Sequence, residues 1–311
     1  MSVIGIVGAG KLGLSLARAL REKGQDVLVL TDHPVEDLRC LAKDRLPEFL
    51  SQCQKVVICL RESRIRPWAE AASATRVDLR KKVFVHTAGA LSSDVLQSLR
   101  DKGAFCGVVH PAASFARPNP DVFKNASFGL SGHEEAKEFG KEIARILGCP
   151  SFEIRDHTLY HAGCVAAAGF VAAVLEVSLR ILTRSSTAGQ QQVLGLARSV
   201  IDNAARNGIE ASITGPQVRG ERQVVAEHLR ALAACDPAVA RLYNVLSDYI
   251  MKEKDSRGLS AELLKVLACP VCKGPVQHDP EHNRLICWNC KLAFEVKDGI
   301  PVMIPERAQE I

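Results

Sequence analysis

"VIGIVGAGKLGLSLARAL", residues 3–20, decides how the chain is read. Val3 to Val7 is an apolar run of strand length, and an amphipathic helical pattern follows from Leu12 to Lys23. Between them Gly8, Gly10 and Gly13 stand in G-x-G-x-x-G spacing. Such a loop suits a dinucleotide: the first glycine permits a tight turn, the second lets backbone approach a pyrophosphate, and the third lets helix and strand pack closely. The pyrophosphate then rests on the helix N-terminus, where unbonded N–H groups and the helix dipole favour an anion. The expected cradle is Gly8, Ala9, Gly10, Lys11, Leu12 and Gly13; the bland alternative is a glycine-rich turn with no ligand.

Further strands are expected at Val27–Leu30, Val56–Leu60, Val83–His86, Ala104–Val109 and Ser127–Leu130, with helical patterns between several of them, as at Glu134–Leu147. Alternating β and α units predict an α/β fold, a doubly wound and mostly parallel Rossmann sheet. After "CPSFEIRD" the texture changes to long helical patterns at 158–183, 189–207, 221–235 and 237–252. The expected organisation is a dinucleotide-binding domain over 1–152, an all-helical substrate or dimerisation domain over 153–252, a linker at 253–259 and a small zinc ribbon over 260–311.

Composition excludes some classes of function. The chain has 311 residues, 47% apolar and 24% charged, as in ordinary globular proteins with room for two or three domains. Its net charge of +5 is spread among acids, so no nucleic-acid surface is expected. The N-terminal residues lack a basic n-region and a long apolar segment, so no signal peptide is read and a cytoplasmic location is expected. "CVAAAGFVAAVLEVSL" (164–179) is interrupted by Glu176 and reads as a buried helix, not a membrane span. Its Ala/Gly-rich part, 162–174, suits close helix packing, perhaps across a homodimer.

At the end of the second strand, Thr31 and Asp32 fall where the cofactor ribose is read. Asp32 would repel a 2′-phosphate, and no Arg follows it closely, which leans slightly towards NAD over NADP. Two other strands end in polar turns, "VFVHTAGALSSDVL" (83–96) and "GVVHPAASFARP" (107–118), bringing His86, Thr87, Gly89, Ser92, His110 and Ser114 to the sheet edge where ligands bind. Thr87 is expected near the cofactor. Either histidine suits proton transfer to a carbonyl oxygen, or merely caps a strand end. In the helical block, His161, Thr214 and Arg219 are candidates for a substrate cleft, Arg219 as a bidentate carboxylate ligand or else a solvated surface residue.

Eleven cysteines need two explanations. Seven are scattered singly in apolar contexts, as free thiols are in a reducing compartment. Cys269, Cys272, Cys287 and Cys290 form two C-x-x-C knuckles with fourteen residues between them. Four thiolates at that spacing suit one tetrahedral structural Zn²⁺ with no open position, in preference to disulfides or redox pairs. Gly274 is expected to help the first knuckle turn, and His278 and His282 are not counted as ligands.

Two resemblances follow. "GAGKLGLSLARAL", "HTAGALSSDVLQSL", "GVVHPAASFA", "LYHAGCVAAAGFVAAVLE" and "ITGPQVRGE" resemble, in order and spacing, a bacterial family in which a Rossmann-like domain precedes a helical domain of unknown function 2520. That family is similar to 6-phosphogluconate and 3-hydroxyacid dehydrogenases and to pyrroline-carboxylate and ketopantoate reductases. The resemblance implies hydride transfer between NAD(P) and a small carbonyl or hydroxy compound. Two departures stand out. Ala112–Ala113–Ser114 replaces a Leu-Gln-Thr-type segment, and Ala168–Gly169 replaces a Ser-Asn pair. Residues 260–305 resemble the zinc-ribbon subunits that activate methyltransferases, through their Cys-Pro-Val-Cys opening and "DGIPVMIPE" ending. That resemblance implies docking to a protein partner through Ile300, Val302 and Met303. The function expected is an NAD(P)-dependent oxidoreductase with a structural ribbon; the alternative is a non-catalytic dinucleotide-binding scaffold or sensor whose ribbon regulates a partner such as a methyltransferase.

Overall fold

The computed structural model describes residues 3–256, 259, 261–279, 282–297 and 300–311. The chain forms two compact units, Met1–Val174 and Leu175–Ile311. In the first, β1 (Val3–Val7), α1 (Lys11–Glu22), β2 (Val27–Leu30), β3 (Arg39–Leu41), α2 (Leu46–Gln52), β4 (Cys53–Ile58) and α3 (Glu62–Ser73) come in that order. They are followed by β5 (Val83–His86), α4 (Gln97–Arg100), β6 (Phe105–Ala112), β7 (Ser127–Gly132), α5 (Glu134–Leu147) and β8 (Ser151–Glu153). The sheet order is β3-β2-β1-β4-β5-β6-β7-β8. The β6–β7 pair is antiparallel and its other pairs are parallel.

The strands are apolar on both sides because both sides are covered. Ile4, Ile6, Val29, Val57 and Val85 join one buried cluster with Leu16, Leu20 and Phe139 from the helices. Their neighbours Leu28, Leu30, Val56, Ile58 and Phe84 join a second with Phe49, Ile65 and Leu99. The chain leaves β1 for β2 on one side and returns to β4 on the other. This reversal opens a crevice beyond the C-terminal ends of β1 and β4, the usual ligand position in such sheets.

The expected strands are present with shifted ends: β4 begins at Cys53 and stops at Ile58, and β6 continues to Ala112. β3 and β8 were not legible, because three residues are too few to carry a usable alternation, and those of β8 are all exposed.

From His157 to Ser185 the chain is one continuous helix, made of α6 (His157–Val165), a wider π-type turn over Ala166–Phe170, and α7 (Val171–Ser185). By length and composition it is apolar enough to cross a membrane. The expectation that this segment is buried is corrected: in the single chain its most apolar window has no buried residue, and Phe170 is 62% exposed. The second unit continues with α8 (Gln190–Asn207), α9 (Pro216–Arg219), α10 (Arg222–Cys235) and α11 (Pro237–Ser256). The segment read as a linker is therefore helical as far as Ser256, while 257, 258 and 260 lie outside the described residues.

After α12 (Ala261–Val266) comes an antiparallel ribbon of β9 (Gln277–Asp279), β10 (Arg284–Cys287), β11 (Leu292–Lys297), β12 (Ile300–Pro301) and β13 (Gln309–Glu310). Its small core contains Leu285, Phe294 and Val296, and two of its buried members are Cys269 and Cys287.

The closest packing constraint lies at the start of α1. A β-carbon on Gly13 would stand 2.0 Å from the Gly8 carbonyl oxygen. Gly13→Ala is expected to lower the unfolding free energy by about 1–3 kcal/mol, the usual range for overpacking. Urea denaturation checks this, and unchanged stability would contradict the close approach of helix and strand.

Candidate functional site

The glycine loop joins β1 to α1 at the crevice. Gly8 has φ +100°, and a side chain there would strike the Cys59 carbonyl at 2.7 Å. Gly10 has no atom within 4 Å of an added β-carbon. It is the N-cap of α1 with no side chain bonded to the helix end, and the first turn carries no acid. The opening N–H groups of α1 thus face an anion position that no side chain among the described residues caps. The cavity beside this loop measures about 930 Å³ and is lined by Gly8, Ala9, Gly10, Thr31, Leu60 and Trp68, among others. Its size and its open glycine backbone fit part of a dinucleotide.

Of the expected cradle, Gly8, Ala9, Gly10 and Thr31 line the cavity. Lys11 and Leu12 open α1, and Gly13 is buried behind the loop. Asp32 is engaged elsewhere: its carboxylate accepts the Lys43 backbone N–H at 3.1 Å and pairs with Lys43 Nζ at 2.6 Å. Lys43 holds that carboxyl below its usual range. Lys43, His33, Arg61 and Arg64 line the cavity, and none of them was counted from the sequence. The sequence shows no Arg close after Asp32, yet Arg61 and Arg64 reach the same cavity. Sequence distance concealed it, since Arg61 follows β4 while Asp32 follows β2.

Beyond the ends of β5 and β6 lies a cluster of histidines. His86 is fully buried. Its Nε2–H donates to the Ser92 carbonyl at 3.1 Å, and its Nδ1 accepts the Ala88 N–H at 3.3 Å. Both ring nitrogens are thus spent on closing the turn after β5, as the strand-capping alternative had it. Thr87 is also buried, its hydroxyl donating to the Ile58 carbonyl at 3.4 Å. His110 is different. Its Nδ1 lies 2.6 Å from the phenol oxygen of Tyr160, with the two rings edge to face. Its ring covers Gly89 so closely that a β-carbon there would meet the imidazole at 3.0 Å. His161 stands beside it, ring centroids 6.3 Å apart.

His157 locks the arrangement: Nδ1–H donates to the Gly89 carbonyl at 3.0 Å, and Nε2 meets the Ser131 hydroxyl at 2.9 Å. Tyr160 and His157 were missed from the sequence. "DHTLYHAG" shows their types, but their contacts to β6 and β7 depend on how the helix leaves the sheet. Burial drives His86 and His110 down to about 4, the neighbouring histidines adding to the effect. Burial also raises the Tyr160 phenol above its usual value. Ser114 is exposed in the loop after β6, Ala113 packs against the core, and Ala168 and Gly169 lie exposed in the π-type turn. Such turns recur at functional sites.

In the second unit, Thr214 is exposed. Arg219 grips the Glu221 carboxylate through Nε at 2.6 Å and Nη2 at 2.9 Å, so the fork expected to face a substrate is occupied. The loop "ITGPQVRGE" is anchored by buried Gln217, which donates to Tyr243 at 3.1 Å and to Ser247 at 3.0 Å. In the ribbon, the four cysteine sulfurs all lie within 4.8 Å of one another. Cys269 and Cys290 are 3.9 Å apart and Cys272 and Cys287 are 3.6 Å apart; a tetrahedral Zn²⁺ with bonds of about 2.3 Å needs about 3.8 Å.

Each knuckle turns at a lysine in the left-handed region, Lys273 (φ 61°) and Lys291 (φ 54°), so the turn expected of Gly274 belongs to Lys273. The Gly274 N–H aimed at Cys272 lowers that thiol to about 6, while contact with Cys272 raises Cys290 to about 12 and burial among the other thiols raises Cys287. His282 pairs with Asp279, leaving the cysteines as the metal set among the described residues. Ile300 is 67% exposed, whereas Met303 packs on the ribbon core.

The buried histidines set a pH dependence. Their ordinary value is 6.5 and their folded value about 4, so the unfolded chain binds protons that the folded chain refuses. Stability is therefore fully present above about pH 6.5 and falls as pH drops towards 4, at most about 1.4 kcal/mol per pH unit for each ring. His157, His161 and Tyr160 face His110 in this response, and Cys164 faces Tyr160. Urea unfolding between pH 7.5 and 5 is expected to show a shallower decline in His110→Gln than in the unaltered chain; equal slopes would contradict the burial of a neutral ring.

Comparison with known proteins agrees with this geometry. Residues 1–111 match a Rossmann-like domain, 126–250 a domain of unknown function (DUF2520), and 260–299 Trm112p-like proteins. UPF0434 protein RSc2531 of Ralstonia nicotianae is 54% identical over 48 residues, 15% of this chain and 77% of the relative. UPF0434 protein GOX0764 of Gluconobacter oxydans is 51% identical over 53 residues, 17% of this chain and 90% of the relative.

Among solved structures, the fold is shared with a putative NADP oxidoreductase, BF3122, of Bacteroides fragilis (TM-score 0.66, 23% identity, 81% of this chain and 98% of that one). It is also shared with protein TM1727 of Thermotoga maritima (0.61, 23%, 80% and 98%) and with pyrroline carboxylate reductase of Plasmodium falciparum, solved with NADP bound (0.56, 12%, 80% and 98%). The chain thus carries a Rossmann-like domain and a DUF2520 domain, and through its C-terminal ribbon it belongs to the UPF0434 family of Trm112p-like proteins.

Proposed function

We propose that the chain is a nicotinamide-dinucleotide-dependent oxidoreductase acting on a small carbonyl or hydroxy-acid metabolite. The observation that carries this reading is Gly10, which lines the cavity at the N-terminus of α1 and where an added β-carbon would meet no atom of the described residues within 4 Å. The shared fold of BF3122 and of the NADP-bound pyrroline carboxylate reductase supports it. Gly8, Ala9 and Gly10 would hold the pyrophosphate, with Thr31 on the adenosine side and the ends of β5 and β6 on the nicotinamide side. When bound, the dinucleotide supplies or accepts the hydride.

The chain's own residues would then handle the proton. With the Tyr160 phenol donating to Nδ1 of His110, the ring proton would sit on Nε2 and that atom would be the donor to a substrate oxygen. Because burial keeps His110 neutral above about pH 4, this donor form persists at neutral pH. His161 is the nearest companion base. His86, with both nitrogens bonded to backbone, holds the loop. Arg219 would reach a substrate carboxylate only by releasing Glu221.

A second reading is favoured by the small side chains at Ala113 and Gly169, where the resembling family carries amides: a dinucleotide-binding scaffold whose ribbon grips a partner such as a methyltransferase. Val271, Trp288 and Ile300 are the exposed apolar side chains a partner would meet. The ribbon is read as holding one structural zinc through Cys269, Cys272, Cys287 and Cys290. The chain is further read as a homodimer, because Phe170, Leu196, Ile201, Val245 and Tyr249 are all 60–65% exposed in a single copy. A reducing, cytoplasmic setting suits its free thiols.

Calorimetric titration with NADH and NADPH is expected to show micromolar binding to at least one of them. Gly10→Asp, whose carboxylate would enter the pyrophosphate position, should weaken it at least tenfold; unchanged affinity would overturn the assignment. A screen of 2-keto and 3-keto acids for cofactor oxidation should then find turnover, and binding without any turnover would favour the scaffold. Native mass spectrometry should return two chains with one zinc each. A folded, metal-free ribbon or a stable monomer would contradict those parts of the reading.

A further inference from the structure

We propose that Gly129 and Tyr160 are positioning residues for His110: the bare backbone of Gly129 seats the Tyr160 hydroxyl, and the hydroxyl held there keeps the His110 ring proton on Nε2. The use of this device in a reaction rests on the oxidoreductase reading above. The device itself needs no cofactor and is tested without one.

The seat is made by three neighbouring strands. His110 on β6 pairs in register with Gly129 on β7, and Gly129 with Phe152 on β8. Register partners share one face of a sheet, so the three form a row with the glycine in its middle. Phe128 and Leu130, on either side of Gly129, belong to the buried cluster on the opposite face. Tyr160 lies across the row. Its hydroxyl is 2.6 Å from His110 Nδ1, its ring meets that of Phe152 edge-on at 5.7 Å, and a β-carbon on Gly129 would stand 2.9 Å from its oxygen. Glycine inside a strand weakens it and often marks the close approach of another group. Here the group that approaches is the phenol.

Helix α6 delivers the tyrosine. Asp156 caps the first turn by accepting the Leu159 N–H at 2.9 Å, and His157 ties the same turn to Gly89 and Ser131. Tyr160 stands three residues after His157, on the same side of the helix.

The direction of the hydrogen bond follows from the partners. Burial keeps the phenol protonated, and a neutral imidazole offers one nitrogen as acceptor. Were Nδ1–H the donor, the phenol proton would be left to the Cys164 thiol one turn further on, a weak acceptor. Gly89, clamped by His157, lies against the face of the ring. Nε2 has no partner among the described residues, and solvent reaches it. The hydrogen bond at one ring nitrogen decides which nitrogen carries the proton, and here it leaves the proton on the open one.

The test is NMR of the full chain with isotopically labelled histidine at about pH 7.5, where imidazoles are mostly neutral. The ring nitrogens of the two tautomers give separate signals, and His110→Gln identifies those of His110. The form protonated on Nε2 is expected to exceed the other by about tenfold, the upper range of one net hydrogen bond. Tyr160→Phe keeps the ring against Phe152 and removes only the hydroxyl, so the ratio should fall severalfold. Gly129→Ala keeps the hydroxyl but displaces it, and the ratio should fall likewise. Circular dichroism checks that the variants fold, and the Tyr160→Phe result decides by itself if Gly129→Ala does not. A proton on Nδ1 in the unaltered chain, or a ratio that Tyr160→Phe leaves unchanged, would overturn the proposal. An unchanged ratio in folded Gly129→Ala would overturn the part given to Gly129. Titration of the same samples with NADH and NADPH separates the two questions: binding of neither removes the oxidoreductase reading and leaves the positioning of His110 as measured.

Discussion

A carbon atom added to residue 13 would lie 2.0 Å from the Gly8 carbonyl oxygen, and that near-contact governs the geometry of the N-terminal unit. It brings the first turn of α1 down onto the end of β1, so the N–H groups of the helix open directly on the crevice. The rest of the cavity follows from strand order. β2 and β4 flank β1, so the segments after them, carrying Thr31 and Leu60–Arg64, arrive on opposite walls of one space. The sheet can hold this arrangement because each of its faces is sealed by its own apolar cluster.

The histidines show how similar residues at neighbouring strand ends divide their tasks. His86 ends β5, His110 lies two residues before the end of β6, and both are kept neutral by burial. For His86 the desolvation is offset by two backbone hydrogen bonds, which leave the ring no further capacity. His110 is held at one nitrogen by Tyr160, and its other nitrogen has no backbone partner among the described residues. An imidazole fixed on one side and open on the other is the arrangement suited to passing a proton. His157 takes part differently, by clamping the Gly89 loop on which the His110 ring rests.

The C-terminal ribbon meets the problem of a small core by other means. Its few buried side chains give little hydrophobic stabilisation, and the thiols that would hold a metal are themselves members of that core. Metal binding by these thiols would therefore be coupled to folding in this part of the chain. The helical block departs from both patterns, leaving large apolar side chains on the surface of a single copy. Helices of this kind complete their burial against another surface.

By itself the sequence determined what depends on local pattern. Apolar runs gave the main strands, glycine spacing gave the turn into α1, helical periodicity gave α5 and the long helices to within a few residues, and cysteine spacing gave the thiol cluster. These features were legible because each is set by residues close together in the chain. Tertiary structure alone decided which side chains share a site. Lys43, Arg61 and Arg64 meet at one cavity because the segments after β3 and β4 both arrive there, and Asp32 is tied up by a lysine eleven residues away. Tyr160 reaches His110 across fifty residues, and Arg219 turns to Glu221 instead of outward. Charge and hydrogen-bond partners act through space at a few ångströms, and sequence order does not record that distance.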